Sequence, residues 1–148
     1  MGDMVVMNNQ KFKMTMIRYY ENKASIILDI RLKHYKDALK KIMILQNKQD
    51  KSVLEENLCY RASAMIHFGT GNIEMAKKCI NTAIILMVDK EGLEEYNMAR
   101  QCNYAVYQDI YGEELTEEKN KKLEELIREN KNKNLKYFNP EGVEFDYE

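Results

Sequence analysis

The stretch YRASAMIHFGTGNIEMAKKCINTAII, residues 60–85, decides the fold. Small and apolar residues recur at helical spacing on both sides of the turn sequence FGTGN at 68–72, and Asn72 is a residue type that caps helices. This pattern predicts a helix that ends at Phe68, a turn, and an antiparallel helix over 73–88. Helix pairs of this kind pack on neighbouring pairs and leave one surface for a partner.

Two helices are expected before this hairpin. The first helix of the hairpin itself can be capped by Ser52 or Asp50. Helical spacing predicts one over 15–32, capped by Thr15, and another over 35–45. The residues that share this spacing in the first helix, and are expected to face the core, are Ile17, Tyr20, Ala24, Ile27, Leu28 and Arg31.

Two helices are expected after the hairpin. One spans 91–111 and ends at Gly112, and the other begins after Thr116 and continues to residue 130. The apolar stripe predicted for the first of these consists of Leu93, Met98, Cys102, Ala105, Val106 and Ile110. The predicted organisation is an N-terminal extension (1–14), a helical array (15–131) and an acidic, extended or mobile tail (132–148).

Composition favours a folded cytoplasmic protein. Apolar residues make up 45% of the 148 residues, which is enough to build a core, and the net charge of -1 gives no overall attraction to nucleic acid or to an anionic membrane. The three cysteines lie in apolar runs without a CxxC pair, and the sequence has neither a secretory leader nor an apolar run of about 20 residues. Buried, reduced thiols and no membrane partner are expected.

The central hairpin resembles a tetratricopeptide repeat. Its matching positions are Tyr60, Ala64, Gly71, Ile73, Ala76, Ile80 and Ala83. The alanines allow two backbones to approach closely, and the isoleucines fill the layer between hairpins. In the third hairpin Ala105 and Gly112 keep the spacing of Ala64 and Gly71, although the repeat is longer than the family's 34 residues. The expected fold is all-α, with about six helices in three antiparallel hairpins stacked in this way; the alternative is an irregular helical bundle.

Degenerate repeats of this type resemble the ligand-holding domains of bacterial peptide receptors. That resemblance implies a regulatory, non-enzymatic module of bacterial or phage origin that binds a protein or peptide, with homodimerisation as a further possibility. Both a stand-alone module and a shortened relative of a larger receptor fit it. The alternative function is a small phage-type inhibitor or a nucleic-acid-associated protein, because the N-terminal third is basic; a solvated face is the simpler explanation of those charges, which are spread through two helices.

Two groups of side chains are candidates for contacting the partner. On the fifth helix, amide and aromatic side chains share one side, and such amides can hold the backbone of an extended peptide. On the third helix, an arginine lies beside two large apolar side chains and could bind a carboxylate. The candidate residues are Arg61, Met65, Phe68, Asn97, Arg100, Gln101, Tyr104 and Gln108. The alternative is that they bridge to neighbouring helices, pack in the core or face water.

Catalysis and metal binding have little support in the sequence. His34 and His67 are the only histidines, and neither has a partner at metal-ligand spacing. No phosphate loop, nucleophile elbow or HExxH motif is present. We therefore expect no catalytic residue, no metal site and no cofactor.

Overall fold

The computed structural model of the chain describes residues 2–113 and 116–130, which form an all-α fold without strands. Its elements are α1 (Gly2–Arg31), α2 (Tyr35–Gln46), α3 (Val53–Gly69), α4 (Ile73–Met87), α5 (Glu94–Tyr111) and α6 (Glu117–Asn130). The predicted all-α class is therefore confirmed. The tail predicted at 132–148 lies outside the described residues.

The central hairpin is formed by α3 and α4, and its predicted caps are confirmed. Ser52 and Glu55 form a capping box: the serine hydroxyl accepts from the Glu55 amide at 3.1 Å, and the Glu55 carboxylate accepts from the Ser52 amide at 3.0 Å. The Asn72 side chain accepts from the Met75 amide at 3.5 Å and begins α4. Local side-chain chemistry thus fixes both starts of this hairpin.

The helices are arranged around α3. Helices α1 and α5 both contact α3, α2 packs on α1 and α3, α4 packs on α3 and α5, and α6 contacts α4. Twelve of the 17 residues of α3 are consequently buried, including polar ones. A helix that is apolar or small nearly all round is expected in such a central position.

Helix α1 is longer than predicted. It begins at Gly2, so residues 2–14 are helical and Thr15 is not its cap. The Thr15 hydroxyl instead donates to the Lys11 carbonyl within the helix, at 2.9 Å. The predicted break is confirmed at Lys33, whose φ is 62°, and the His34 amide donates to the Asp29 carbonyl at 2.7 Å, as in a Schellman ending.

The core-facing side of α1 also differs from the prediction. Tyr19, Ile26 and Ile30 are buried, whereas Ile17 and Leu28 are exposed. The other residues of the predicted stripe are half-buried (Ile27) or exposed (Tyr20, Ala24, Arg31). Because α1 carries apolar residues on more than half of its circumference, spacing alone does not select the side that packs on α3.

Helix α5 shows the same kind of shift. Its buried residues are Ala99, Asn103, Tyr107 and Ile110, of which only Ile110 belonged to the predicted stripe. Met98 and Ala105 are exposed. The predicted end is confirmed, since Gly112 has a φ of 72° and its amide donates to the Gln108 carbonyl at 2.8 Å.

Candidate partner-binding surface

Arg61, predicted to face a partner, is instead buried at the centre of the array with 1% of its surface exposed. Its Nη1 donates to the side-chain oxygens of Asn57 at 2.7 Å and Asn103 at 3.2 Å. Both asparagines donate in turn to the carbonyl of Ala83, at 2.7 and 3.2 Å. This cluster joins α3, α4 and α5 through neutral acceptors, and among the described residues no carboxylate pairs with Arg61. Arg61 is therefore a core residue.

Helix α1 covers this cluster. The Tyr19 hydroxyl accepts a hydrogen bond from Arg61; burial raises the pKa of Tyr19 and the guanidinium partly offsets that rise. Lys23 Nζ lies 3.9 Å from Cys102 Sγ on α5. Helix α1 thus lies over the side of α3 that carries Arg61, and its side chains reach as far as those of α5.

The two apolar residues predicted beside Arg61 lie at the margin of the core. Met65 and Phe68 are half-buried and pack against core side chains. The structure favours the alternative interpretation of these two residues, which is that they pack in the core. They do not form an open groove with Arg61, because Arg61 is covered.

The predicted amide side of α5 is partly present. Asn97, Gln101 and Gln108 are exposed, and Tyr104 is half-buried. Arg100 is held within the fold: its Nε donates to the Met87 carbonyl at the end of α4, at 2.9 Å, and its Nη1 donates to Asn97 Oδ1 at 2.6 Å. Arg100 and Asn97 thus secure the end of α4, which leaves the two glutamines as the freely exposed amides of this set.

Most of the exposed large apolar side chains in the described part of the chain lie on α1, several of them opposite the side that packs on α3. Ile17, Tyr20, Ala24 and Leu28 follow one another at helical spacings of three and four residues, and we call them the outer face of α1. Ile17 and Leu28 are each 56% exposed and Tyr20 is 38% exposed. Nine large apolar side chains are exposed in the described part of the chain. Six of them lie on α1 or at its end, namely Ile17, Tyr20 and Leu28 of the outer face together with Phe12, Met14 and Leu32.

Sequence reasoning found these residues but assigned them to the core. The adjacent pair Tyr19 and Tyr20 gives the missing signal, because neighbouring residues on a helix point about 100° apart and cannot share one narrow face. Their rings meet edge-on with centroids 5.2 Å apart. The apolar residues of α1 extend over more of the helix than one packing contact covers. The apolar residues that are left uncovered therefore indicate a second apolar face.

Burial keeps one histidine and two cysteines of the core uncharged. Burial lowers the pKa of His67 to about 4 and raises the pKa values of Cys59 and Cys79 to about 12. We call Cys59 and Cys79 the buried cysteines. Neutral imidazole and protonated thiols in a dry interior do not form a reactive pair. In the part of the chain that is described, no group of three or more histidine, cysteine or acidic side chains is arranged to hold a metal ion.

Several basic side chains of the N-terminal half are engaged within the fold. Lys41 Nζ pairs with Asp29 at 2.6 Å and also donates to Ser25 at 2.7 Å. Lys48 pairs with the buried Glu55 at 2.9 Å. Burial acts to raise the pKa of Glu55, but the hydrogen bonds from Lys48 and Ser52 outweigh it and lower that pKa. Of these two lysines, Lys41 belongs to the basic N-terminal third, and Asp29 offsets its charge.

Comparison of the chain with protein-family models, curated proteins and solved structures finds no match. Across the described helices, none combines the length and the apolar character needed to cross a membrane.

Proposed function

We propose that this chain is a non-enzymatic protein-binding module and that the outer face of α1 is its contact surface. The observation that carries the proposal is the exposure of Ile17, Tyr20 and Leu28 along one side of a helix whose other side is already packed. Contiguous apolar surface on a folded protein marks an interaction site more often than scattered apolar residues do. The amphipathic side of a helix is also a common unit of protein recognition.

The energetics of burial favour this surface over the predicted side of α5. Complete burial of a fully exposed leucine or isoleucine side chain contributes about 1.5–3 kcal/mol, so Ile17 and Leu28, which are each 56% exposed, together supply roughly 2–3 kcal/mol. The exposed glutamines of α5 give up hydrogen bonds to water when they bind, and their net gain is about 0.5–1.5 kcal/mol each. Apolar burial on α1, to which Tyr20 also contributes, would therefore provide the larger share of the affinity.

The surroundings of Tyr20 suggest the polarity of the rim. The pKa of Tyr20 is raised by desolvation and by the nearby carboxylates of Glu95 and Glu94 at the start of α5. A partner that covers Tyr20 therefore meets negative charge on the α5 side. In a tetratricopeptide-like array, the stacked helical hairpins would serve as the rigid support of α1. They would not form the walls of a groove.

Capture of partner proteins tests the proposal. The immobilised chain is exposed to a lysate of the organism that encodes it, with the double variant Ile17→Ser/Leu28→Ser alongside. The matched control is Ile44→Ser, because Ile44 on α2 is 74% exposed and stands apart from the outer face of α1. We expect the double variant to lose at least about 90% of the captured protein, as a loss of more than 1.4 kcal/mol implies, and the control to retain it.

Two results would refute the proposal. One is equal capture by the wild type and the double variant, with melting temperatures that agree. The other is capture of nucleic acid alone, measured as a mobility shift at low salt that disappears as salt is added, which would support the alternative of a nucleic-acid-associated protein.

A further inference from the structure

We propose that the partner that covers the outer face of α1 is α1 of a second copy, aligned antiparallel. This inference rests on the proposed function, because it names the occupant of the same surface. Its basis is that the surface is complementary to itself, both in apolar residues and in charge.

The complementarity follows from the order of residues along α1. Glu21 and Arg31 are both exposed, and neither has an ion-pair partner within the described part of its own chain. An antiparallel copy that places Glu21 opposite Arg31 also places Ala24 opposite Leu28. A two-fold axis repeats each pair, so one register gives two ion pairs enclosing two apolar pairs.

The same register extends the apolar contact at both ends. It sets Tyr20 opposite Leu32, which is 55% exposed and whose amide still donates to the Leu28 carbonyl at 3.0 Å, so that it continues the helical turn. Ala24 has the smallest side chain of the outer face, and it allows the two helices to approach most closely near the middle of the contact. Each copy thereby covers Tyr20, Ala24 and Leu28 of the other, whereas Ile17 lies beyond the end of the partner's α1 in this register.

Charge selects the antiparallel orientation. A parallel pair in register would place Glu21 against Glu21 and Arg31 against Arg31 of the partner, and like charges directly opposed destabilise a helix pair. A different protein as partner would need its own matching pattern, whereas a second copy already has it. The exposed charges on α1 thus favour self-association.

The size of the contact predicts how strong the dimer is. Residues 20–32 span about 20 Å of a helix about 10 Å wide. The total area buried between two copies is then below about 1,200 Å², the range of weak and transient complexes. We expect a dissociation constant of about 1 μM or weaker, with monomer and dimer in exchange.

Charge reversal tests the pairing. Sedimentation velocity over a wide concentration series measures the dimer dissociation constant of the wild type, Glu21→Arg, Arg31→Glu and the double reversal Glu21→Arg/Arg31→Glu. Each single reversal sets like charges opposite one another and is expected to raise the dissociation constant at least about tenfold. The double reversal restores opposite charges in the antiparallel register and is expected to return it to within about threefold of the wild type.

Ile44→Ser serves again as the control and should leave the dissociation constant unchanged. A wild type that stays monomeric at every concentration would overturn the inference. Single reversals that leave the dissociation constant unchanged would also overturn it, and so would a double reversal that dimerises more weakly than either single one. Failure of this inference is distinguishable from failure of the proposed function. If the wild type is monomeric but still captures protein through Ile17 and Leu28, the binding surface is supported and only its assignment to a second copy is refuted.

Discussion

The stability of the fold should depend on pH through His67. This side chain is completely buried, and burial lowers its pKa from 6.5 to about 4. In the unfolded chain the imidazole is protonated below about pH 6.5, while in the folded chain it stays neutral down to about pH 4. The unfolded state therefore binds more protons between these values, and the free energy of unfolding falls as the pH is lowered.

The magnitude follows from the two pKa values. Between pH 7 and pH 5 the unfolded imidazole gains nearly one proton and the folded one gains very little, which removes about 2 kcal/mol of stability. Most carboxylates titrate below this window. Glu55, whose folded pKa is lowered, stabilises the fold above its unfolded pKa and loses that contribution only as the pH falls further, through its folded value.

Urea denaturation followed by circular dichroism at pH 7, 6 and 5 measures this effect. His67→Gln should flatten the profile, because glutamine is polar, similar in volume and does not titrate. His34→Gln is the control: His34 is the other histidine of the chain and is exposed, so its replacement should leave the slope intact. A wild-type stability that is the same at pH 7 and pH 5, or a His67→Gln profile as steep as the wild type, would refute the reasoning.

Two further predictions concern the core. Asn103→Leu removes one of the two side-chain acceptors of Arg61 Nη1 and should lower the free energy of unfolding by about 1–3 kcal/mol. Gln101→Ala, on the exposed side of the same helix, should change the free energy of unfolding by less than about 0.5 kcal/mol. Denaturant titration measures both. Iodoacetamide should modify the partly exposed Cys102 first in the native protein, with the buried cysteines reacting only on unfolding; peptide mass spectrometry checks this, and equal labelling of all three thiols would contradict it.

The sequence predicts the helices well because their ends depend on local chemistry. Ser52, Asn72 and Gly112 each act through a hydrogen bond or a backbone angle within a few residues, and such signals are readable without tertiary structure. The start of α1 was wrong because no breaker precedes Thr15: a threonine can cap a helix, but it can equally donate to the preceding turn, as it does here.

The candidate site was harder to predict because it depends on which side of a helix packs inward. Helix α1 has apolar residues on two sides, and the choice of Tyr19 over Tyr20 for the core is made by contacts with α3 and α5 that lie far away in sequence. Arg61 was predicted to bind a carboxylate of the partner because it lies beside Met65 and Phe68 on the third helix. Two asparagines accept its hydrogen bonds there, and no pattern within α3 alone indicates the second of them, Asn103.

The contact between Lys23 and Cys102 joins residues 79 positions apart and connects α1 directly to α5. In an open row of repeats each unit touches only its neighbours, so that units can be added, removed or melted from one end. Here the removal of α1 would uncover the Arg61 cluster, which joins α3, α4 and α5. Helix α1 is consequently not expected to melt separately, and helices α1–α5 should unfold as one cooperative unit.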